Sequence, residues 1–392
     1  MKHNIYLDHN ATTPVLPEVV AAMQPYGSDL YGNPSSIHES GTKVARAIRE
    51  ARREATALLG AQEESEIVFT SGGTESNNAA LRSAIWTQKG KRRIVTTAVE
   101  HSSVIKLAKA LEEENCEVIY CPVTKEGHLD REKFREALTE NTAVVSVMMA
   151  NNETGVIFPI EEIAREVKSK GIFFHVDGVQ AAGKMPLVLK DWPVDFFSLS
   201  GHKLGGPKGI GVLYLRKGAA FRPLIFGGSQ ERGRRAGTEN VPGIIGLGAA
   251  CKRRLRTLAE DGVKVRGLRD YFEEAVLNRI SGVEINGDRE SRIPNTSNLA
   301  FEGVDSEALL ILLDQEGICA SSGSACLSGS FEPSRVLKAM GWSAQRAKSS
   351  IRFSFGTSNT RVEIDRVVGL LERFVRHLRQ TDLQEQHPHS VV

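Results

Sequence analysis

Short apolar runs alternate with amphipathic stretches through the first half of the sequence. Apolar residues at helical spacing predict helices at residues 102–113 and 161–168. The runs that we predict to be strands are residues 67–70, 94–97, 118–120, 144–148, 173–176, 196–199 and 212–215. Because these runs are apolar on both faces and are joined by helices, they indicate an α/β fold with a mostly parallel sheet of seven strands. Ligands of such sheets bind at the carboxyl ends of the strands, so candidate chemistry is sought directly after each strand.

The second half of the sequence has a different character. A long basic helix is predicted, roughly at residues 241–259 and then 263–280. The shorter elements that follow are a strand at 298–301, a helix at 306–315, a strand near Ile318 and a strand at 351–355. They indicate a smaller α+β unit. Residues 380–392 are polar, and we expect them to be frayed.

Length and charge limit the class of protein. A chain of 392 residues is too long for one compact core. We therefore predict a large domain of residues 14–258 and a small domain of residues 1–13 and 259–392. A formal net charge of +2 gives no indication of a nucleic-acid or membrane partner. Basic residues at 232–235 and 252–254 are interpreted as solvated or interface faces, with a phosphate patch as the alternative.

The five cysteines are spread along the chain, at Cys116, Cys121, Cys251, Cys319 and Cys326. An odd number without a C-x-x-C pair argues against a disulfide framework and against a zinc site, so no resident metal is expected. The first residues do not have the pattern of a secretory signal, and no stretch of 18 apolar residues exists. These features predict a cytoplasmic protein with free thiols.

Three polar motifs follow predicted strands. Thr-Ser-Gly-Gly-Thr-Glu-Ser at residues 70–76 opens a helix, where free N–H groups and a threonine hydroxyl can hold a phosphate. A plain capped turn explains this motif equally well. His101 is placed to stack on a planar ring and to move protons, with a hydrogen-bonded surface histidine as the alternative. Asn-Asn-Glu-Thr-Gly at residues 151–155 is either a polar site loop or a simple turn.

Two further strand ends carry an aspartate and a lysine. Asp177 ends an apolar strand, where a carboxylate is costly to bury without a cationic partner. Lys203 follows the next strand and is flanked by Ser200 and His202, with glycines close behind. Pyridoxal phosphate requires an acidic partner for its ring nitrogen and a lysine for its aldehyde. This pair, 26 residues apart, therefore predicts a pyridoxal-phosphate site.

The last motifs provide a thiol and an anion-binding cation. Cys326 lies in a loop of small residues, 321–330, without apolar periodicity, which indicates an accessible and reactive thiol. Arg352 lies within an apolar strand and needs an anionic partner there. The fork geometry of its guanidinium suits the carboxylate of a substrate.

These motifs together resemble the NifS/IscS-type cysteine desulfurases, in the class V aminotransferase branch of the fold-type I pyridoxal-phosphate enzymes. The resemblance runs from about residue 4 to about residue 375. The stretches that carry it are residues 6–13, 32–36, 70–76, 150–155, 200–203, 234–240 and 321–330. The stretch Arg-Arg-Ala-Gly-Thr-Glu-Asn at 234–240 is most similar to the nitrogenase-associated NifS type.

The resemblance implies a role for each candidate residue. Lys203 is the lysine that carries the cofactor, His101 stacks on its ring, and Cys326 accepts the sulfur. Arg352 binds the substrate carboxylate, with Asn152 beside ring and substrate. The remaining cofactor-binding residues are Asp177 at the ring nitrogen, Gln180 at the ring hydroxyl, and Gly73, Thr74, Ser200, His202 and Thr238 at the phosphate. Thr238 is implied to come from the neighbouring subunit of a homodimer.

The implied reaction removes sulfur from L-cysteine, giving L-alanine and a persulfide on Cys326. An iron–sulfur scaffold or another sulfur-acceptor protein would then receive the sulfur, and Cys326 would contact a nascent cluster only in passing. A selenocysteine lyase or another class V pyridoxal-phosphate enzyme is the alternative, as is a non-catalytic sulfur-relay partner. His9 departs from many relatives, and the chain is short after Leu378, where housekeeping relatives dock their scaffold. The identity of the acceptor therefore stays open.

Overall fold

The structure is a computed structural model that describes residues 4–322 and 332–386. Its strands are β1 (Ile5–Tyr6), β2 (Ile67–Thr70), β3 (Arg93–Thr97), β4 (Glu117–Cys121), β5 (Thr142–Met148), β6 (Phe173–Asp177), β7 (Phe196–Ser200), β8 (Gly211–Leu215), β9 (Val283–Ile285), β10 (Thr296–Phe301), β11 (Ile318–Cys319) and β12 (Ser350–Ser354). Its helices are α1 (Pro17–Met23), α2 (Glu39–Leu59), α3 (Gly73–Thr87), α4 (Ser102–Glu113), α5 (Arg131–Ala137), α6 (Ile160–Ser169), α7 (Gln230–Gly233), α8 (Val241–Arg279), α9 (Ser306–Gln315), α10 (Arg335–Ala339), α11 (Ala344–Lys348) and α12 (Arg361–Gln386).

A seven-stranded sheet lies at the centre of the described residues, in the order β2-β8-β7-β6-β5-β3-β4. The strands from β4 to β7 run parallel, whereas β8 is antiparallel to both β2 and β7. The β7–β8 connection has no crossover helix, and without one the chain reverses direction. The predicted mostly parallel α/β sheet is confirmed, and every predicted strand is present to within two residues at each end.

A second hydrophobic core forms around a small antiparallel sheet with the order β12-β10-β9. Phe272 of α8, Phe301 of β10 and Phe353 of β12 are all fully buried in it. The N-terminal strand also contributes, because Ile5 and Leu7 belong to the same core and β1 pairs in parallel with β11. The segment around Ile5 and Leu7 therefore belongs to this core, ahead of the first strand of the large sheet. The domain boundaries remain a prediction.

Helix α8 confirms the predicted long helix and runs unbroken from Val241 to Arg279. Its first half packs into the core of the large sheet and its second half into the second core. Residues 260–262, between the two predicted stretches, are helical as well. Asp261 accepts hydrogen bonds from Thr257 and Arg254 of the same helix, at 2.7 and 3.2 Å. Packing on both sides thus outweighs the cost of about 1 kcal/mol for one helical glycine.

The prediction of a frayed end from residue 380 was wrong for its first part. Helix α12 continues to Gln386, and its earlier turns bury Ile364, Leu371 and Val375 in the second core. Residues 387–392 lie outside the described part of the chain. Within residues 4–322 and 332–386, no helix is both long and apolar enough to span a membrane.

Candidate active site

The carboxyl ends of the parallel strands open into one cavity of about 530 Å³. Ten of the twelve predicted site residues line it, namely Gly73, Thr74, His101, Asn152, Asp177, Gln180, Ser200, His202, Lys203 and Arg352. Thr238 is not among the lining residues, and Cys326 lies outside the described residues. The fold thus brings together residues that are spread over 280 positions of the sequence. Their individual roles remain predictions.

Asp177 is the last residue of β6 and is 5% exposed. One carboxylate oxygen accepts a hydrogen bond from Nδ2 of Asn77 at 2.8 Å, and the other accepts from the backbone N–H of Val179 at 3.1 Å. No lysine or arginine of the described chain forms an ion pair with this carboxylate. A buried carboxylate with only neutral donors favours a cationic ligand. A protonated ring nitrogen meets that requirement.

Asn77 was missed by the sequence analysis. It lies on α3, one turn after Gly73, and is 1% exposed. Its Nδ2 also donates to the hydroxyl of Ser103, at 2.9 Å. In the sequence, the only signal for Asn77 is its position one helical turn after the phosphate motif. Nothing there connects it with Asp177, 100 residues away.

Lys203 ends a short 3-10 turn, Gly201–Lys203, that directly follows β7. Its amino group donates to the carbonyl oxygens of Asn10 and Ala11, at 2.5 and 2.7 Å. Burial and the positive charge of Arg352 lower the pKa of this amine to about 8, although Asp8 and Asp177 oppose the shift. A lysine with this pKa is partly neutral near pH 7, which is the nucleophilic form.

His101 is the N-cap residue of α4 and faces the cavity. Its Nδ1 accepts the backbone N–H of Ser103 at 3.1 Å, and the hydroxyl of Ser103 lies 2.8 Å away. In the neutral ring the proton is therefore on Nε2. Partial loss of hydration lowers the pKa of His101, while Asp177 opposes this and Lys203 adds to it. The ring is thus held in one orientation as a neutral donor.

The phosphate motif is not a side-chain-capped turn. Helix α3 begins after Gly72, and no side chain in the described part of the chain caps its first N–H groups. Gly72 has a φ of +151°, and a Cβ on Gly211 would lie 2.6 Å from the Gly72 Cα. A helix N-terminus with free N–H groups binds anions, so the alternative of a plain capped turn is disfavoured. Two polar side chains, Ser200 and His202, line the same cavity.

His202 carries no positive charge towards that anion at neutral pH. Burial and the nearby Lys203 lower the pKa of His202 to about 4. Its Nδ1 lies 3.1 Å from the hydroxyl of Thr12. His202 therefore acts as a neutral hydrogen-bonding group.

Arg352 has an anionic partner within this chain, and its binding of a substrate carboxylate stays a prediction. Its Nη2 donates to Oδ1 of Asp8 at 2.7 Å, and its Nη1 donates to the carbonyl of Asn152 at 3.0 Å. Nε is buried and has no hydrogen-bond partner among the described residues. Asp8 comes from the N-terminal segment, 344 residues away, so the sequence offered no sign of this pair. A substrate carboxylate would therefore bind a guanidinium whose orientation is already fixed by Asp8 and by the carbonyl of Asn152.

Residues 151–155 form a turn and also contribute to the site. The side-chain oxygen of Asn151 accepts the backbone N–H groups of Glu153 and Thr154, at 2.9 and 3.0 Å. Gly155 has a φ of +81°. This turn places Asn152, rather than Asn151, on the cavity wall. Both interpretations of the motif therefore apply.

Glu100 is a second residue that the sequence analysis missed. It is 0% exposed, it lines the cavity, and burial raises the pKa of its carboxyl to about 8. Oε1 accepts from the hydroxyl of Thr97 at 2.7 Å and from the backbone N–H of Met148 at 2.9 Å. It ties the strand ends of β3 and β5 together directly beside His101.

Thr238 is exposed and is not among the residues that line the cavity of its own chain. Its segment is anchored by Arg235, which pairs with Glu75 of α3 at 3.0 Å.

The described residues hold no cluster of histidine, cysteine, aspartate or glutamate side chains with metal-binding geometry. On both sides of residues 323–331 the chain contacts the site. Ser321 pairs with the backbone of Arg352, and the hydroxyl of Ser334 donates to Glu153.

Residues 5–367 match the aminotransferase class-V family. A cysteine desulfurase of Trichormus azollae is 53% identical over 375 residues, which cover 96% of this chain and 94% of that protein. The cysteine desulfurase NifS of Azotobacter vinelandii is 50% identical over 376 residues, again 96% of this chain and 94% of that protein. A solved structure of a NifS-like protein superposes with a TM-score of 0.90 at 38% identity, covering 96% of this chain and all of that one.

The fold and these similarities together identify the class of protein. The chain belongs to the aminotransferase class-V family, in its NifS-like branch. The resemblance inferred from the motifs is thereby confirmed over nearly the whole length.

Proposed function

We propose that this chain is a cysteine desulfurase that uses pyridoxal phosphate. It takes sulfur from L-cysteine, releases L-alanine and retains the sulfur as a persulfide on Cys326. The observation that carries the proposal is the convergence of Asp177, Lys203 and Arg352 on one cavity. These are an uncompensated carboxylate, an amine of lowered pKa and a carboxylate-binding cation. The 50–53% identical relatives that are named cysteine desulfurases support the same reaction.

The donor set fits pyridoxal phosphate at three points. Asp177 has only neutral donors around it and suits a protonated ring nitrogen. The uncapped N-terminus of α3, with Thr74, Ser200 and His202, suits the phosphate. Lys203 suits the aldehyde. When bound, the cofactor acts as an electron sink that makes the substrate Cα–H acidic.

The residues of this chain then divide the remaining work. Arg352 binds the substrate carboxylate and thereby orients the substrate within the cavity. Lys203, once free of the cofactor, holds or returns the proton at the substrate Cα. His101, a neutral ring with its proton on Nε2, exchanges a proton with the substrate thiol.

Cys326 supplies the covalent step. Its thiolate attacks the substrate sulfur, so that an S–S bond forms as the substrate C–S bond breaks, and the electron pair returns to the carbon skeleton. Protonation of that skeleton gives L-alanine. The persulfide then passes its outer sulfur to an acceptor protein such as an iron–sulfur scaffold. We further propose a cytoplasmic homodimer in which Thr238 of each subunit reaches the partner's phosphate site.

The proposal is tested by measuring L-alanine formed from L-cysteine in the presence of pyridoxal phosphate and a reducing thiol. Wild-type protein is expected to form alanine and sulfide in equal amounts. Cys326→Ala is expected to lose this activity, whereas Cys319→Ala, a partly exposed cysteine on β11, is the matched control and should retain it. Absence of alanine formation by the wild-type protein, or full activity of Cys326→Ala, contradicts the proposal.

A further inference from the structure

A second lysine lies behind the cavity, outside the set predicted from the sequence. Lys184 follows Gln180 by four residues in the turn after β6. Its amino group donates to Oε1 of Gln180 at 2.7 Å and to Oδ1 of Asn10 at 2.9 Å. Within the described chain no carboxylate forms an ion pair with Lys184. This amine therefore has two neutral acceptors and no counter-charge.

The charges that act most strongly on Lys184 are positive. Burial of its amino group, followed by repulsion from Lys203, Arg352 and Arg254, lowers the pKa of Lys184 well below the ordinary value for a lysine. The structure provides this amine with two acceptors, Oε1 of Gln180 and Oδ1 of Asn10. Lys184 is thus placed to orient these two polar side chains.

Gln180 is oriented from both ends of its amide. Its oxygen accepts from Lys184, and its nitrogen donates to the carbonyl oxygen of Asn10 at 3.0 Å. Rotation of the amide by half a turn would bring its oxygen against that carbonyl oxygen, which accepts hydrogen bonds only. Gln180 is 5% exposed and lines the cavity. Its second N–H is therefore available to a group bound there.

Asn10 is oriented by the same amine. Its Oδ1 accepts from Lys184 and from Asn295, while its Nδ2 donates to Thr296 at 2.8 Å. With the side chain held in this way, the backbone carbonyl of Asn10 accepts from Lys203 at 2.5 Å. The amine of Lys184 thus contacts both side chains that hold the site in place: Gln180 directly, and Asn10, whose carbonyl in turn binds Lys203.

We propose that Lys184 is a positioning residue of this active site, which holds the Gln180 amide so that its N–H group points to the ring hydroxyl of the cofactor. The same contact holds Asn10 so that its carbonyl meets Lys203. The inference rests on the proposed function, since it requires pyridoxal phosphate in the cavity. Lys184 acts through Gln180 and Asn10 and touches neither the substrate nor the cofactor.

The test is a double-mutant cycle with two readouts that do not depend on turnover. Lys184→Met, Gln180→Leu and the double variant are prepared in the full chain. The dissociation constant for pyridoxal phosphate and the absorption maximum of the bound cofactor are then measured. Lys184→Met is expected to weaken cofactor binding by about 3- to 10-fold, the effect of one misplaced hydrogen bond, and to shift the absorption maximum. In the Gln180→Leu background, Lys184→Met is expected to have a smaller effect, because only the route through Asn10 remains.

Equal effects of Lys184→Met in both backgrounds would show a general structural role and overturn the inference, as would an unchanged absorption maximum. Lys190→Met, at an exposed lysine nearby, is the control and should behave as wild type. If Lys184→Met does not fold, Lys184→Gln enters the same cycle under the same criterion. Failure of the proposed function is distinguishable, because then the wild-type protein itself would neither bind pyridoxal phosphate nor form alanine.

Discussion

The lowered pKa of Lys203 predicts how fast cofactor-free protein captures pyridoxal phosphate at different pH values. Only the neutral amine attacks the aldehyde. At pH 7 a lysine with a pKa of about 8 is neutral in about one molecule in ten. An ordinary lysine with a pKa of about 10.4 is neutral in roughly one in 2,500, so the site provides a gain of about 200-fold. The structural cause is burial, reinforced by Arg352 and partly offset by Asp8 and Asp177.

The assay follows the visible absorbance of the cofactor after rapid mixing, from pH 6 to pH 10. The same reaction with a free lysine derivative is the reference, and dividing by its rate per neutral amine at each pH removes the ionisation of the cofactor itself. Because burial disfavours the charged form, the normalised rate is expected to rise with pH and to level off above about pH 8. Asp8→Asn removes a carboxylate that favours the ammonium form, so it should move the midpoint to lower pH. A wild-type midpoint near that of an ordinary lysine would refute the reasoning.

Four further outcomes are expected. Lys203→Ala should lose the visible band of the bound cofactor, and a borohydride-reducible band at wild-type yield would contradict the assignment. Sedimentation at micromolar concentration should show a dimer, and Thr238→Ala should weaken cofactor binding; a fully active monomer would exclude the shared site. After treatment with L-cysteine, mass spectrometry should find one added sulfur atom on the Cys326 peptide and none on Cys116, Cys121 or Cys251, which are buried. Gly356→Ala should lower stability by about 1–3 kcal/mol in thermal unfolding, because its Cβ would lie 2.3 Å from the buried His9 ring. Gly369→Ala, in open space on α12, is the control and should not destabilise.

Local patterns in the sequence determined the secondary structure and the residue types of the site. Strand ends are marked by a change from apolar to polar residues, so Asp177 and Lys203 could be placed on neighbouring strands before the sheet was seen. The structure confirms this neighbourhood, because β6 and β7 pair in parallel with Asp177 opposite Ser198. Helices were predicted equally well, and α4 and α9 begin and end at the predicted residues. Such features depend on residues only a few positions apart.

Tertiary structure alone decided which partners these residues meet. Asp8 pairs with Arg352 across 344 positions, and Lys184 and Lys203 both reach Asn10 across more than 170. No periodicity or motif encodes such pairs, because they arise when the N-terminal segment passes between the two cores. The continuity of α8 through Asp261 and Gly262 has the same origin, since local composition favours a break and packing at both ends overrides it. Local motifs thus determine which chemical groups the site contains. The pKa values and orientations of those side chains arise from contacts between distant residues, which form only in the folded chain.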